Sequence, residues 1–163
     1  MSKNLMQLET VLSEELRIFS NILRLEREKS NAIIKKDGAL MQKLSHEQED
    51  YLYKIAPVEN NRKKITDQYL KNNPEGKLTL SDISAIEGIS DSALTEIGGL
   101  LKKTLDRIKS IQETNAKMIN DNLEYFKKMI KEVRQSVSME TGYTEKGIEK
   151  GKTINSFMVD KKI

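Results

Sequence analysis

His46 is the only histidine of the chain, and the run His46-Glu47-Gln48-Glu49-Asp50 gathers metal-ligating residue types on one short stretch. Its spacing fails both helical metal patterns. A zinc-protease helix needs a second histidine four residues on, and a di-iron bundle needs a glutamate three residues before the histidine. The reading is therefore a surface histidine and no metal site. Gly98-Gly99-Leu100-Leu101-Lys102-Lys103-Thr104 ends like a phosphate-binding loop. It lacks the glycine directly before the final lysine, and no strand precedes it. Neighbouring carboxylates, Glu14 with Glu15 and Glu49 with Asp50, stand about 100° apart on a helix, so they read as solvating charges. A serine nucleophile needs a positioned base, which one helical histidine does not supply. These residues predict no catalytic group, no cofactor and no enzyme.

Polar residues set into apolar seams are more telling. Leu44, Tyr51, Val58 and Ile65 recur every seven residues, as do Leu94, Leu101, Ile108, Asn115, Asn122 and Met129. Asn115 and Asn122 have two readings: amides that fix register and partner orientation, or points where the stripe drifts to the surface. Glu26 interrupts the first helical stripe and Arg62 the second. Counting outward from a turn at Asp37 and Gly38 sets Glu26 opposite His46 to Glu49 and Arg62 opposite roughly Leu12, which argues against a direct Glu26–Arg62 bridge. Met118, Tyr125, Phe126, Met129 and Ile130 form a patch of adaptable methionine and aromatic side chains. Packing against the first two helices is one reading of that patch, and a groove for a client helix is the other.

The elements that must position these residues are helices. Apolar spacing of three and four predicts a first helix over about 3–36, a second over 39–71 and a third over 91–137, with a short helix over 82–87 started by Ser81. Pro57 predicts a kink or a break near Tyr53 to Pro57. Asn72 to Gly76 reads as a loop, Asp91 as the cap of the long helix, and Gly98 and Gly99 as a weak start to it. The expected fold is all-α: an elongated antiparallel three-helix bundle or coiled coil over 1–137, followed by a flexible tail over 138–163. In that tail Gly142, Gly147 and Gly151 punctuate charged residues, and Ile154, Phe157, Met158 and Val159 read either as a solvated end or as one helical turn on a partner.

Composition agrees with a thin helical core. Of 163 residues, 37% are hydrophobic, 33% charged and 5% aromatic, with two prolines and no tryptophan. The net charge of +3 comes from 28 basic and 25 acidic residues interleaved along the chain. Nucleic-acid binding needs a one-sided basic face, and only short clusters such as Arg62-Lys63-Lys64 occur. No apolar run approaches the ~20 residues of a membrane span, so stable membrane insertion is not expected. Absence of cysteine and of a signal-like start point to the cytoplasm.

Four stretches resemble the FlgN family of flagellar export chaperones. They are Leu23 to Lys29 with its seam Glu26, Leu44 to Ile55 followed by Val58 to Arg62, Asn115 to Leu123, and Tyr143 to Gly147. The resemblance implies a cytoplasmic chaperone that binds C-terminal segments of hook–filament junction proteins and delivers them to the flagellar type III export gate. It also implies that Met118, Tyr125, Phe126, Met129 and Ile130 meet the client, while Tyr143 and Phe157 meet the gate or another partner. The alternative is a structural coiled coil whose seams drive homo-oligomerisation without a client.

Overall fold

The computed structural model describes residues 2–73, 78–89 and 93–141. They form four helices: α1 (Lys3–Ile34), α2 (Gly38–Asn72), α3 (Leu80–Ile86) and α4 (Ala93–Thr141). The chain divides into a first unit ending at Ile119 and a second beginning at Asn120. The expected cap at Asp91, the loop residues Pro74 to Gly76, and the tail from Gly142 onward, including Tyr143, Ile154, Phe157, Met158 and Val159, lie outside the described residues. α4 continues to Thr141, four residues into the stretch read as tail.

α1 starts where Ser2 accepts a hydrogen bond from the Leu5 amide, which satisfies one of the orphan donors of the first turn. It ends in a tight reversal. Lys36, at φ 56°, takes the left-handed position, while its N–H donates to Ile33 O and that of Asp37 donates to Ala32 O. Glycine usually fills this site. The turn read at Asp37 and Gly38 falls slightly earlier, since Gly38 is already the first residue of α2, capped by Asp37 through the Leu40 amide.

α2 runs unbroken through Pro57, in keeping with the single helix expected over 39–71; of the kink and the break, the break does not occur. Leu44, Ile55, Ile65 and Tyr69 are buried on both sides of the proline, and the exposed Pro57 and Tyr53 put the lost hydrogen bond on the water side. α3 is capped by Thr79 rather than by Ser81. The Thr79 hydroxyl accepts from the Asp82 amide, and the Asp82 carboxylate accepts from the Thr79 amide, a reciprocal capping box. Gly98, inside α4, has a packing reason: a Cβ there would collide with the Leu80 side chain of α3.

In the first unit α1 and α2 are antiparallel and pack closest. Leu5, Leu8, Leu12, Ile18, Phe19 and Ile22 of α1 share one core with Ile55, Ile65 and Tyr69 of α2, Ile83 of α3, and Leu94, Leu101 and Ile108 of α4. A smaller cluster of Leu25, Ala32 and Leu44 lies toward the α1–α2 turn. The all-α bundle expected from the apolar periodicity is the observed fold.

Two polar contacts set the register of the α1–α2 pair. Buried Glu26 accepts a hydrogen bond from Gln48 Nε2 at 2.7 Å, within the stretch counted as its opposite number. Arg62 Nε bridges Glu15 Oε1 at 2.8 Å, one turn from the expected Leu12. Reading Glu14 and Glu15 as two solvating charges holds for Glu14, which pairs with Arg17 on the surface. It fails for Glu15, which is buried. One step along a helix turns a side chain from water into the core.

A third contact ties the ends of the fold. Glu87 Oε1 accepts from Ser2 Oγ at 2.6 Å and from the Tyr69 hydroxyl at 2.7 Å. The hydrogen bond from Ser2, followed by that from Tyr69, holds the Glu87 carboxyl below its usual range. Burial, then the bond to Glu87, pushes the Tyr69 hydroxyl up.

Two outcomes follow from these contacts. Glu26→Ala strands buried donors and lowers unfolding free energy by about 3 kcal/mol in urea titrations, whereas Glu15→Ala costs about 1 kcal/mol, because Arg62 is 39% exposed and regains water. Tyr69→Phe costs about 1 kcal/mol near neutrality. Glu87's depressed value makes its contribution full above the ordinary carboxylate value of about 4.3 and lost as pH falls through the folded value; Tyr69's raised value makes its contribution full below about 10 and lost as pH rises beyond it. The difference between wild type and Tyr69→Phe is therefore flat from roughly pH 5 to 9 and shrinks outside that window.

Candidate functional site

A buried polar cluster engages α4 near its middle. Asn115 Nδ2 donates to Glu26 Oε2 and to Glu26 O, both at 3.1 Å, while Ser30 Oγ donates to Asn115 Oδ1 at 2.6 Å. Gln112 Nε2 reaches Glu26 Oε1 at 3.3 Å, and Lys29 Nζ lies 3.5 Å from the same oxygen while also donating to Gln48 Oε1. Of the two readings of Asn115, the register-fixing amide is the observed one. Among the described residues no buried side-chain polar atom lacks a hydrogen-bond partner.

Gln112 and Asn115 of α4 therefore meet Glu26 and Ser30 of α1, while Ser2, at the start of α1, meets Glu87 just after α3. The heptad series along α4 changes after Asn115: Leu94, Leu101, Ile108 and Asn115 are buried, Asn122 is half-buried and Met129 is exposed.

In the second unit α4 carries a dense row of exposed apolar side chains. Tyr125 is 60% exposed, Phe126 42%, Met129 40% and Ile130 47%. The Tyr125 and Phe126 rings meet edge to face, with centroids 6.1 Å apart. Core packing, the first reading of this patch, does not describe these four. Met118 falls in the first unit and is half-buried. Val133 and Val137 extend the exposed row and were not singled out as site residues. Their signal was present, since each stands four residues after Met129 or Val133. Lys127, Lys128, Lys131 and Arg134 surround the row, with Asp121, Glu124 and Glu132 among them.

Elsewhere the candidate chemistry stays apart. His46 is exposed, its Nδ1 3.8 Å from Glu49. Among the described residues no group of three His, Cys, Asp or Glu side chains could hold a metal ion. Lys102, Lys103 and Thr104 lie within α4 rather than on a loop before a helix, so no phosphate cradle forms there. No helix of the described residues is long and apolar enough to cross a membrane.

The first unit is a polar-pinned all-α bundle, and α4 in the second unit carries exposed aromatic and methionine side chains, a kind of surface that partner-binding proteins present. The family model described as FlgN protein matches residues 1–151 of this chain. The chain belongs to the FlgN family, whose members act as chaperones in flagellar type III export. No curated protein and no solved structure matches it.

Proposed function

We propose that the chain is a cytoplasmic export chaperone that holds C-terminal segments of hook–filament junction proteins on α4 and delivers them to the type III export gate. Tyr125, Phe126, Met129 and Ile130 supply the client contact in this reading, and Tyr143 and Phe157 serve the gate or a second partner. The observation that carries it is the exposed apolar row in a chain of the FlgN family. Large aromatic and methionine side chains at the surface are costly to keep in water and rarely contiguous without a partner. Covering them with a client helix hides the client's own apolar face, and release needs no bond to be made or broken. No catalytic step and no cofactor enters this scheme.

Phe126→Ser with Met129→Ser removes two large apolar contacts worth about 1.5–3 kcal/mol each when fully covered. Calorimetric titration with the C-terminal segments should show affinity falling by about a hundredfold or more, with far-ultraviolet circular dichroism unchanged. Loss of helicity together with assembly would instead favour a structural coiled coil. Retained affinity would place the client elsewhere.

A further inference from the structure

Asn122 interrupts the apolar row at its start, one turn before Tyr125 and Phe126. One heptad earlier Asn115 shows what such an amide needs once a helix covers it. There Nδ2 is spent on Glu26 and Oδ1 on Ser30, so no polar capacity is left idle. The later row also keeps the spacing of the covered seam. Phe126 follows Ile108, and Val133 follows Asn115, by eighteen residues, roughly five turns at ~3.6 residues per turn. Ile108 and Asn115 are buried under the neighbouring helices, and Phe126 and Val133 are exposed.

We infer that the occupant of this face is an amphipathic helix of an export substrate that brings an oxygen acceptor, from an Asp, Glu, Asn or Gln side chain, to Asn122 Nδ2. This rests on the reading of α4 as the client site. A wholly apolar helix laid over the row desolvates the Asn122 amide without replacing its hydrogen bonds, which weakens binding by about tenfold to a hundredfold. Asn122 thereby fixes the register of the bound helix and rejects helices that offer only apolar surface, as one seam asparagine does in coiled coils. Apolar side chains give affinity here, and the amide gives selection.

The test uses the full chain, titrated calorimetrically with C-terminal segments of the hook–filament junction proteins, as wild type, Asn122→Leu and Phe126→Ser. Helicity is checked for each. Asn122→Leu enlarges the apolar face, yet binding should weaken about tenfold or more. Replacing one acceptor residue of the segment by Leu should then cost little against Asn122→Leu while costing about tenfold against wild type. Affinity of Asn122→Leu equal to or above wild type, with Phe126→Ser still defective, overturns the role of Asn122 and leaves the client site standing. Failure of the wild type to bind any segment overturns both. A solution mass of two chains that Phe126→Ser returns to one shows the row occupied by a second copy, and overturns the inference as well.

Discussion

The Glu26 carboxylate has left water to sit among three helices, and the rest of the bundle is arranged to compensate it. A buried carboxylate is tolerable only when each oxygen is met by donors. Gln48 from α2, Gln112 and Asn115 from α4, and Lys29 from its own helix meet it here. These contacts add little to net stability compared with an apolar core of the same volume, because desolvation offsets much of the attraction. Their effect is to make one alignment of three helices far better than its neighbours. A slide of either partner by a single residue removes donors from a charge that cannot return to water. Arg62 on Glu15, and Ser2 with Tyr69 on Glu87, repeat the device nearer the other end of α1.

Within the first unit these contacts reach along α4 as far as Asn115. The apolar face of α4 is buried as far as Asn115 and exposed at Phe126, Met129, Ile130 and Val133. A helix that needed only to complete its own bundle would turn polar once its cover ran out. This one keeps aromatic, methionine and branched side chains, of the kind that adapt to differing partners. Family membership and exposed chemistry therefore point the same way.

Much of this was legible in the residues. Helical periodicity is strong along the described residues, and counting outward from one short turn set Glu26 opposite His46 to Glu49, where Gln48 meets it, and Arg62 opposite roughly Leu12, one turn from its partner Glu15. Where the reading failed, tertiary context decided. Glu14 and Glu15 are alike in sequence, and only the facing Arg62 makes one of them a core residue. Asn115 and Asn122 are a heptad apart in one seam, and burial separates them: Asn115 meets Glu26 and Ser30 in the core, whereas Asn122 is half-buried. Lys36 took the left-handed position in place of nearby Gly38 because closing the turn onto Ala32 and Ile33 sets which residue must bend. α3 started two residues early because the Thr79–Asp82 pair satisfies both ends of a capping box, and Ser81 does not. The exposed row was visible as periodicity, but periodicity is blind to what covers a face.

Amide hydrogen exchange on the full chain, alone and with the C-terminal segments of the hook–filament junction proteins, tests the central claim most directly. Slow exchange is expected in α1 and α2 under both conditions. Faster exchange is expected over residues 120–137, slowing markedly when the segments are added. Protection gained on the α1–α2 hairpin, with residues 120–137 unchanged, would contradict that claim.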